Sequence, residues 1–386
     1  MSKVLLGDVA KERRETCKSS KDGYPIVGLE HLTPEEITLT AWDEGKENTF
    51  SKLFREGDIL FGRRRAYLKK AAVAPFDGIC SGDITVIEAM PESLLPELLP
   101  FIIQNDALFD FAVGKSAGSL SPRVKWENLM NYEFELPEMD KQRELAKILW
   151  AIDTTKKTYQ KLLQKTDELV KSQFVEMLGD PVTNPMGWEK KTLQALIDNG
   201  CVIYHLDGNH GELYPRSDEF INEGVPYIGA NCISDGRIEY HNAKYLTEER
   251  ADGFRKGVAI SGDVLFAHNA TVGPVAILET ILPKVILSTS LTAYRCDLAL
   301  LNPYYLKAYM ESPAFITQYE AEMGQTTRNQ VPITKQRSFQ FLVPPLGLQN
   351  RFADFVRQAD KSKFELEEAL AKLDATCKRI ISENLG

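Results

Sequence analysis

Two stretches of the chain place apolar or small residues at alternating steps of three and four, the spacing of one helix face. The first stretch, 142–177, contains no proline or glycine, which favours one uninterrupted helix. Its seam positions are Leu145, Ile148, Ile152, Thr155, Tyr159, Leu162, Thr166 and Leu169. The second stretch shows the same steps at Phe352, Phe355, Ala359, Ser362, Leu366, Ala369, Leu373 and Thr376. Such a narrow seam needs a partner helix, so the pattern predicts that the two helices pair with each other.

The two helices belong to a longer duplication. Each seam position of the second helix lies 207 residues after its counterpart, as Phe352 does after Leu145. The approaches to the helices also match in register, Phe-Glu-Leu-Pro-Glu-Met at 134–139 and Phe-Leu-Val-Pro-Pro-Leu at 341–346. Earlier in each half, Gly-Asp-Ile-Leu-Phe at 57–61 corresponds to Gly-Asp-Val-Leu-Phe at 262–266. Matching segments in the same order indicate a duplicated protein.

Outside the helices, short apolar and β-branched runs bounded by turn residues predict strands. In the first half these strands lie at 24–29, 57–62, 71–74, 84–88 and 132–136, with a helix over 98–113. In the second half they lie at 225–230, 261–266, 275–278, 291–295 and 339–343, with a helix over 302–322. The sequence therefore predicts an α+β fold. Two similar domains would be separated by two long antiparallel helices, a coiled-coil spacer, with an internal pseudo-twofold duplication.

The predicted domain boundaries follow from these elements. We expect a first domain over 1–140, a central helical spacer over 141–180, a second domain over 181–345 and a distal helical spacer over 346–386. A helix of about 36 residues is roughly 54 Å long. Two similar domains at a fixed separation suit a ligand with two sites along a line. DNA is such a ligand, because half-sites one helical turn apart lie about 34–36 Å from each other.

Composition limits the function further. The net charge of −9 argues against a protein that coats nucleic acid with a uniformly basic surface, but it allows positive charge to be concentrated locally. The six cysteines show no Cys-x-x-Cys spacing and no apolar run approaches a membrane span, so we expect a reduced, cytoplasmic protein. The five histidines show no metal-ligand spacing, and no metal site is predicted.

The chain resembles the DNA-specificity subunit of type I restriction–modification systems over essentially its whole length. The resemblance rests on the two Gly-Asp strands and on the Pro-x-x-x-x-Gln approach at 137–142 and 344–349. It also rests on Ser-Gln-Phe-Val-Glu-Met-Leu-Gly-Asp-Pro at 172–181, which precedes Gly187-Trp188, and on Asp-Gly-Asn-His-Gly at 207–211. Each motif is short, but together they occur in the expected order and the first two occur twice.

This resemblance implies a non-catalytic subunit that recognises DNA sequence. Each of two target-recognition domains would read one half of a bipartite, asymmetric target in double-stranded DNA. The paired helices would set the spacing and dock two methyltransferase subunits, and restriction or translocase subunits can join such a complex. No cofactor is expected in this chain, because S-adenosylmethionine would bind to the partner methyltransferase.

The expected DNA contacts lie in polar loops, because Arg and Lys neutralise phosphates while Arg, Asn, Gln and Ser reach base edges. In the first domain the candidates are Arg63, Arg64, Arg65, Tyr67, Lys115, Ser116, Arg123 and Lys125. In the second domain they are Asn209, His210, Tyr214, Arg216, His268, Asn269, Thr271, Gln325, Thr326, Thr327, Arg328, Asn329 and Gln330. The loop 325–330 is the strongest candidate. Because the two domains differ in these loops, we expect two different half-sites, and an ordinary solvated loop is the alternative for each.

Three stretches resemble catalytic motifs, and each departs from the pattern. Asn302-Pro-Tyr-Tyr lacks the second proline of an adenine methyltransferase site, so an Asn-Pro turn that begins a helix is the better account. Gly114-Lys-Ser has a phenylalanine where a phosphate loop requires its first glycine. Asp180 with Glu189 and Lys191 loosely resembles a nuclease triad, but a turn cap beside surface charges explains it. The alternatives are a stand-alone DNA methyltransferase or nuclease with unrecognised motifs, and a coiled-coil adaptor between proteins.

Overall fold

The structure is a computed structural model that describes residues 2–18, 23–45, 48–118, 120–209, 211–324 and 329–386. Its contacts divide the chain into two compact units. Unit 1 comprises residues 1–162 and 365–386, and unit 2 comprises residues 163–364. Both long helices cross the boundary between the units, so each helix contributes residues to both. The four predicted segments, in contrast, assigned each helix to a separate spacer.

Unit 1 combines small, mostly antiparallel sheets with short helices. Its strands are β1 (Ser2–Leu5), β2 (Ala10–Glu12), β3 (Ile26–Val27), β4 (Lys52–Phe54), β5 (Ile59–Gly62), β6 (Ala71–Val73), β7 (Gly78–Cys80), β8 (Ile84–Ala89) and β9 (Glu133–Leu136). Its helices are α1 (Leu6–Val9), α2 (Leu99–Ile103), α3 (Asp106–Gly114), α4 (Trp126–Leu129) and the first part of α5 (Met139–Leu178). The strands form sheets in the orders β2-β8-β5-β6, β3-β7-β4 and β1-β9.

Unit 2 repeats this arrangement with additional strands. Its strands are β10 (Glu189–Thr192), β11 (Val202–Asp207), β12 (Val225–Ile228), β13 (Ile233–Ser234), β14 (Arg237–Ile238), β15 (Lys244–Leu246), β16 (Val258–Ala259), β17 (Val264–Asn269), β18 (Thr271–Ile277), β19 (Val285–Leu287), β20 (Leu291–Cys296) and β21 (Gln340–Val343). Its helices are α6 (Leu193–Asp198), α7 (Glu248–Asp252), α8 (Pro303–Met310), α9 (Pro313–Met323), α10 (Ile333–Gln336) and the first part of α11 (Leu346–Leu385). The sheet β11-β20-β17-β18 corresponds to β2-β8-β5-β6, and β10-β21 corresponds to β1-β9.

The Gly-Asp motif begins the central strand of each unit. Gly57 and Gly262 have φ of 86° and 93°, in the left-handed region that favours glycine. The next residue, Asp58 or Asp263, is buried, with 3% and 0% exposure. The Asp58 carboxylate accepts the N–H of Arg55 at 2.8 Å, and that of Asp263 accepts the N–H of Ile260 at 2.9 Å. The motif is therefore a turn cap that fixes where the strand starts.

The glutamine of the Pro-x-x-x-x-Gln motif joins each long helix to the unit beside it. Gln142 is buried, donates to the Pro137 carbonyl at 2.9 Å and accepts the N–H of Leu95 at 2.8 Å. Its counterpart Gln349 is buried and makes the same two bonds, to the Pro344 carbonyl and from the Asn302 N–H, at 2.8 and 2.9 Å. Each glutamine thus satisfies one buried main-chain carbonyl and one partly buried main-chain N–H.

The long helices pack antiparallel within each unit. In unit 1, Leu149 near the start of α5 shares one apolar cluster with Ile381 near the end of α11, and Lys156 forms an ion pair with Asp374. In unit 2, the rings of Phe174 and Phe352 meet edge to face with centroids 5.3 Å apart. Lys363 also forms an ion pair with Asp167 at 2.6 Å.

The seam of α5 differs from the predicted one by a single residue at every second position. Ile148, Leu162 and Leu169 are 39%, 46% and 51% exposed, whereas Leu149 is fully buried. The seam of α5 therefore continues from Leu145 through 149, 152, 156, 159, 163, 166 and 170. In α11 the predicted position Ser362 is exposed, while Phe355 and Val356 are both partly buried. The hydrophobic pattern missed this phase because Lys156, a seam position, is charged and is stabilised there by Asp374.

The other residues predicted to pair the two helices are not exposed. Three of them are buried, Leu145, Ile152 and Phe352, and four are partly buried, Tyr159, Phe355, Leu366 and Leu373. Two further helices are shorter than predicted. The helix expected over 98–113 is interrupted at Gln104 and Asn105, and the one over 302–322 is interrupted before Pro313, where proline cannot donate to a continuing helix.

The predicted α+β class with an internal duplication is confirmed. Within the described part of the chain, no helix combines the length and the apolar character that a membrane span would need.

Candidate nucleic-acid interface

In unit 1, two of the predicted DNA-contacting loops run side by side. The main chain of 63–65, which follows β5, is bonded to that of 122–124, which precedes α4. The Val124 N–H donates to the Arg63 carbonyl at 3.0 Å, and the Arg65 N–H donates to the Pro122 carbonyl at 2.9 Å. The Arg63 N–H donates to the Asp83 carbonyl at 3.1 Å. We call residues 63–65, 83 and 121–124 the unit 1 crossing.

Unit 2 builds the same arrangement from 268–270, 290 and 329–331, which we call the unit 2 crossing. The Val331 N–H donates to the His268 carbonyl at 2.7 Å, and the Ala270 N–H donates to the Asn329 carbonyl at 2.9 Å. The His268 N–H donates to the Ser290 carbonyl at 2.9 Å. All three bonds correspond one to one with those of unit 1. Even the local backbone matches, because Arg65 and Ala270 both have positive φ, 54° and 65°.

The side chains at corresponding places differ in chemistry. Arg64 and Arg123 face each other as a bridge pair in unit 1, where Asn269 and Gln330 form the corresponding pair in unit 2. Asp83 occupies the place that Ser290 takes in unit 2. At these three places unit 1 thus carries two guanidinium groups and a carboxylate, whereas unit 2 carries two amides and a hydroxyl.

Asp83 holds both arginines of the unit 1 crossing. Arg123 donates from Nε to Oδ1 at 2.7 Å and from Nη2 to Oδ2 at 3.2 Å. Arg64 Nη1 lies 3.6 Å from Oδ2, and its Nε and Nη2 donate to the Ser121 hydroxyl at 3.2 and 3.0 Å. The Arg123 guanidinium and its neighbours Arg64 and Arg63 keep the pKa of Asp83 below its usual range.

A buried polar network supports the unit 2 crossing. Gln336 is fully buried, and its Nε2 donates to the carbonyl of Val331 at 3.2 Å and to the Thr292 hydroxyl at 3.1 Å. Its Oε1 accepts from the Tyr294 hydroxyl at 2.6 Å and lies 3.2 Å from Nε2 of His205. Since this oxygen can only accept, His205 must carry its proton on Nε2. Burial lowers the pKa of His205 to about 4, so this histidine is neutral.

The remaining unit 1 candidates lie around the crossing or on nearby helix ends. Tyr67 and Lys125 are exposed, as is Lys115, whose ammonium lies 5.6 Å from the centre of the Phe111 ring. Ser116 is half-buried and donates to the Ala112 carbonyl at 2.8 Å, which caps the end of α3.

Two unit 2 candidates require correction. Asn209 is buried and donates to the Lys256 carbonyl at 2.6 Å, so its side chain stabilises a loop. His268 is also buried, and its Nδ1 lies 3.0 Å from the Val331 carbonyl. Both side chains are directed into the unit, where each lies within hydrogen-bonding distance of a main-chain carbonyl. Their polarity in the sequence therefore indicated structure, not an exposed contact.

The other unit 2 candidates divide into exposed and undescribed residues. Tyr214, Arg216, Thr271 and Asn329 are exposed, while Asn269 and Gln330 are half-buried. His210, Gln325, Thr326, Thr327 and Arg328 lie outside the described residues, so most of the strongest predicted loop remains a prediction.

The motifs that resembled catalytic sites have structural roles. Asn302 accepts the N–H of Tyr304 at 3.0 Å and caps the start of α8. Asp180 accepts from the Val182 N–H at 2.9 Å and from the Thr183 hydroxyl at 3.1 Å in the turn after α5. Gly114 ends a helix instead of following a strand. In the described part of the chain, no cluster of His, Cys, Asp and Glu has an arrangement that could hold a metal ion.

Sequence reasoning missed Asp83 and Lys52. Asp83 is an acidic residue between the basic clusters, and only the fold brings it between Arg64 and Arg123. Lys52 donates to the Ile84 carbonyl at 2.7 Å, and burial lowers the pKa of its ammonium. The one available signal was the turn Ser81-Gly-Asp, in which the Asp83 N–H donates to the Ser81 hydroxyl at 3.2 Å.

One family model matches both halves of the chain. The model, described as the type I restriction modification DNA specificity domain, matches residues 2–166 and again residues 187–373. The two matches cover the two halves of the duplication separately.

Individual proteins show the same relationship. The chain is similar to the putative type I restriction enzyme MjaX specificity subunit of Methanocaldococcus jannaschii, with 20% identity over 385 residues, 93% of this chain and 87% of that protein. It is also similar to the type I restriction enzyme MjaVIII specificity subunit of the same organism, with 20% identity over 250 residues. That match covers 64% of this chain and 53% of the relative, about half of its length.

A solved structure shares the fold. The crystal structure of the type I restriction–modification S subunit from M. genitalium superimposes with a TM-score of 0.62 over 100% of this chain and 96% of that chain, at 12% sequence identity. At this identity the likeness concerns the fold alone. The family model carries the assignment, and the chain belongs to the family of type I restriction–modification DNA specificity proteins.

Proposed function

We propose that this chain is the non-catalytic DNA sequence-recognition subunit of a type I restriction–modification complex. Each unit reads one half of a bipartite, asymmetric target in double-stranded DNA. The observation that carries the proposal is the repeated crossing, in which the main-chain hydrogen bonds are the same and the side chains differ. A repeated scaffold with different donors is what a reader of two different half-sites requires, because base edges are distinguished by their hydrogen-bonding groups.

The charge distribution supports this proposal. The net charge of −9 would oppose DNA binding if it were spread evenly, but Lys52, Arg63, Arg64 and Arg123 are concentrated around one carboxylate in unit 1. Phosphate neutralisation by a few local cations gives an affinity that falls steeply with salt concentration. Partner subunits that enclose the duplex would supplement this contact.

The partners follow from the same proposal. Two methyltransferase subunits dock on the long helices and carry S-adenosylmethionine, and restriction or translocase subunits join where the system includes them. Together they act on DNA in the cytoplasm. Because α5 and α11 each contribute to both units, they also set the number of base pairs between the half-sites.

The test uses the full chain produced together with its methyltransferase subunit. Random-sequence duplexes bound by the complex are selected and sequenced, and labelled S-adenosylmethionine reports methyl transfer. We expect a split motif with two different halves, and methyl transfer only when the methyltransferase is present. Transfer by this chain alone would favour a stand-alone methyltransferase. Cleavage by the chain alone would favour a nuclease, and binding without sequence preference would favour an adaptor.

The spacing is tested in the same selection with a shortened variant. Residues 160–166 and 364–370 lie between the two interhelical ion pairs in the sequence, so their joint deletion shortens both helices equally while keeping both pairs. One heptad is about 10 Å of helix, which corresponds to about three base pairs. The variant should select a spacer shorter by about that number, and an unchanged spacer would contradict this role of the helices.

A further inference from the structure

Asp83 is held by its own main chain before its carboxylate meets any arginine. Its N–H donates to the Ser81 hydroxyl at 3.2 Å, and its carbonyl accepts the Arg63 N–H at 3.1 Å. The first bond lies within the short turn between β7 and β8, and the second joins that turn to the segment after β5. The carboxylate is 21% exposed and therefore stands at a fixed place at the edge of the unit 1 crossing.

The two contacts from Arg123 use one particular edge of its guanidinium. Nε and Nη2 both donate to Asp83, which is the side-on, bidentate arrangement. The adjacent end edge, formed by Nη1 and the second N–H of Nη2, is the one that can donate to O6 and N7 of guanine in the major groove. A carboxylate that occupies the side edge therefore directs the end edge of Arg123 outward, and the Arg123 side chain is 42% exposed.

Arg64 is restrained in the same place. Its Nε and Nη2 donate to Ser121, and its Nη1 lies 3.6 Å from Asp83. Long arginine side chains lose conformational freedom when they bind, and this loss weakens the interaction. Here the freedom is removed before DNA arrives, so more of the contact energy can appear as selectivity between bases.

The Asp83 carboxylate also lowers the affinity for DNA of any sequence. Asp83 is a negative charge among cations, and it repels phosphate at the surface that the cations would attract. A residue kept only to raise affinity for DNA would not be acidic at this place. The unit 2 crossing has Ser290 there, and its pair Asn269 and Gln330 carries amides, the groups that suit adenine N6 and N7.

We propose that Asp83 is a positioning residue that orients Arg123, with Arg64 beside it, to read guanine in the half-site of unit 1. The inference rests on the proposed function and names the base class for one of its two half-sites. Unit 2, which has no carboxylate at this position, reads its own half-site with amides.

The experiment selects random-sequence duplexes with the complex of full chain and methyltransferase, using wild type, Asp83→Asn, Asp83→Glu and Arg123→Gln. Asp77→Asn is the matched control, because Asp77 pairs with Arg55 at 2.9 Å in the same unit but at the other end of β5. The half-site read by unit 2 is an internal control in every selection. Affinity for a duplex without the target is measured separately.

We expect Asp83→Asn to reduce guanine preference in one half-site by roughly ten-fold or more, the effect of losing one bidentate base contact. Affinity for non-target DNA should stay the same or rise, because a negative charge is removed. Asp83→Glu should retain much of the preference, Arg123→Gln should lose it, and Asp77→Asn should match wild type. A misfolded unit would lower non-target affinity as well, so this combination is specific to positioning.

The inference is overturned if Asp83→Asn keeps the wild-type preference at every position, or if preference falls equally in both half-sites. It is also overturned if affinity falls on all sequences without a change in preference, since that would mark phosphate contacts. These results differ from a failure of the proposed function, in which the wild-type complex itself selects no split motif.

Discussion

Each unit has a buried aspartate at the corresponding position, Asp58 or Asp263, and the arginine that neutralises it comes from a different part of the unit in each case. Asp263 receives Arg295 of β20, with both nitrogen–oxygen distances 2.8 Å. The corresponding residue on β8 in unit 1 is Glu88, an acid, and Asp58 instead receives Arg13, which follows β2, at 2.6 and 3.2 Å. Arg13 additionally binds Glu15 at 2.8 Å and also Glu88.

This difference separates what the duplication must keep from what it can change. The aspartate is kept because its carboxylate accepts a main-chain N–H of the turn that starts the central strand. The cation can come from any nearby strand, since a buried carboxylate needs only a partner of opposite charge with good geometry. The crossings follow the same rule, because their main-chain bonds match while the side chains differ.

The largest expected effect comes from removing the aspartate charge in each unit. In Asp263→Asn, the contacts that Arg295 keeps with described residues are the Val258 carbonyl at 3.3 Å and the Tyr204 ring, so unit 2 should lose about 3 kcal/mol of stability. In Asp58→Asn, Arg13 retains Glu15 and Glu88, and unit 1 should lose only about 1 kcal/mol. Hydrogen exchange resolved by peptide, in increasing urea, measures the two units separately.

The exposed pair of Asp354 with Arg357 provides the control for that comparison. Asp354→Asn should change stability by less than about 0.5 kcal/mol, because an exposed pair on a helix contributes little. Equal losses for Asp58→Asn and Asp263→Asn would show that the additional acids around Arg13 do not compensate.

The second-largest effect is expected from replacing the motif glutamines, and it tests whether Gln142 and Gln349 contribute equally to the stability of their units. Gln142→Ala and Gln349→Ala each leave a buried carbonyl and a partly buried N–H without their glutamine partner, so each should cost about 2 kcal/mol in its own unit. Gln164→Ala, on the exposed face of α5, should have almost no effect. Thermal and urea unfolding provide the measurement, and a loss confined to one unit's glutamine would mean that the duplicated bonds are not equally important.

The smallest expected effect is a pH dependence of stability in unit 2, caused by His205 in the network that supports the unit 2 crossing. The pKa of His205 is lowered from 6.5 to about 4 in the folded state. Its stabilising contribution is therefore complete above pH 6.5 and is lost as the pH falls toward 4, because the unfolded chain binds the proton more strongly in this range. By pH 5 the loss should be about 2 kcal/mol.

Hydrogen exchange of β17 and β20 at pH 7 and pH 5 detects that loss. The variant His205→Gln should be less stable at pH 7 but should lose about 2 kcal/mol less between the two pH values. In unit 1, β2 contributes Glu12 where β11 contributes His205, so β5 and β8 should not show this histidine-dependent change. An unchanged pH dependence in His205→Gln would indicate that carboxylates cause the whole effect.

The sequence by itself determined the duplication, the fold class and the two long helices. These features are encoded locally: heptad steps, glycine at positive φ and the order of strands can all be recognised without knowing the contacts. The Gly-Asp and Pro-x-x-x-x-Gln motifs were recognisable for the same reason, and they form matching hydrogen bonds in both units.

Only the tertiary structure decided the helix seam and the composition of the crossings. The seam passes through Lys156, which hydrophobic periodicity does not detect because Asp374, distant in sequence, neutralises it. Asp83 lies 40 residues before Arg123 and becomes significant only where three segments meet. Asn209 and His268 looked like exposed readers, yet buried carbonyls hold them inward. A side chain's direction depends on long-range contacts, and a single sequence does not specify which distant groups will be buried beside it.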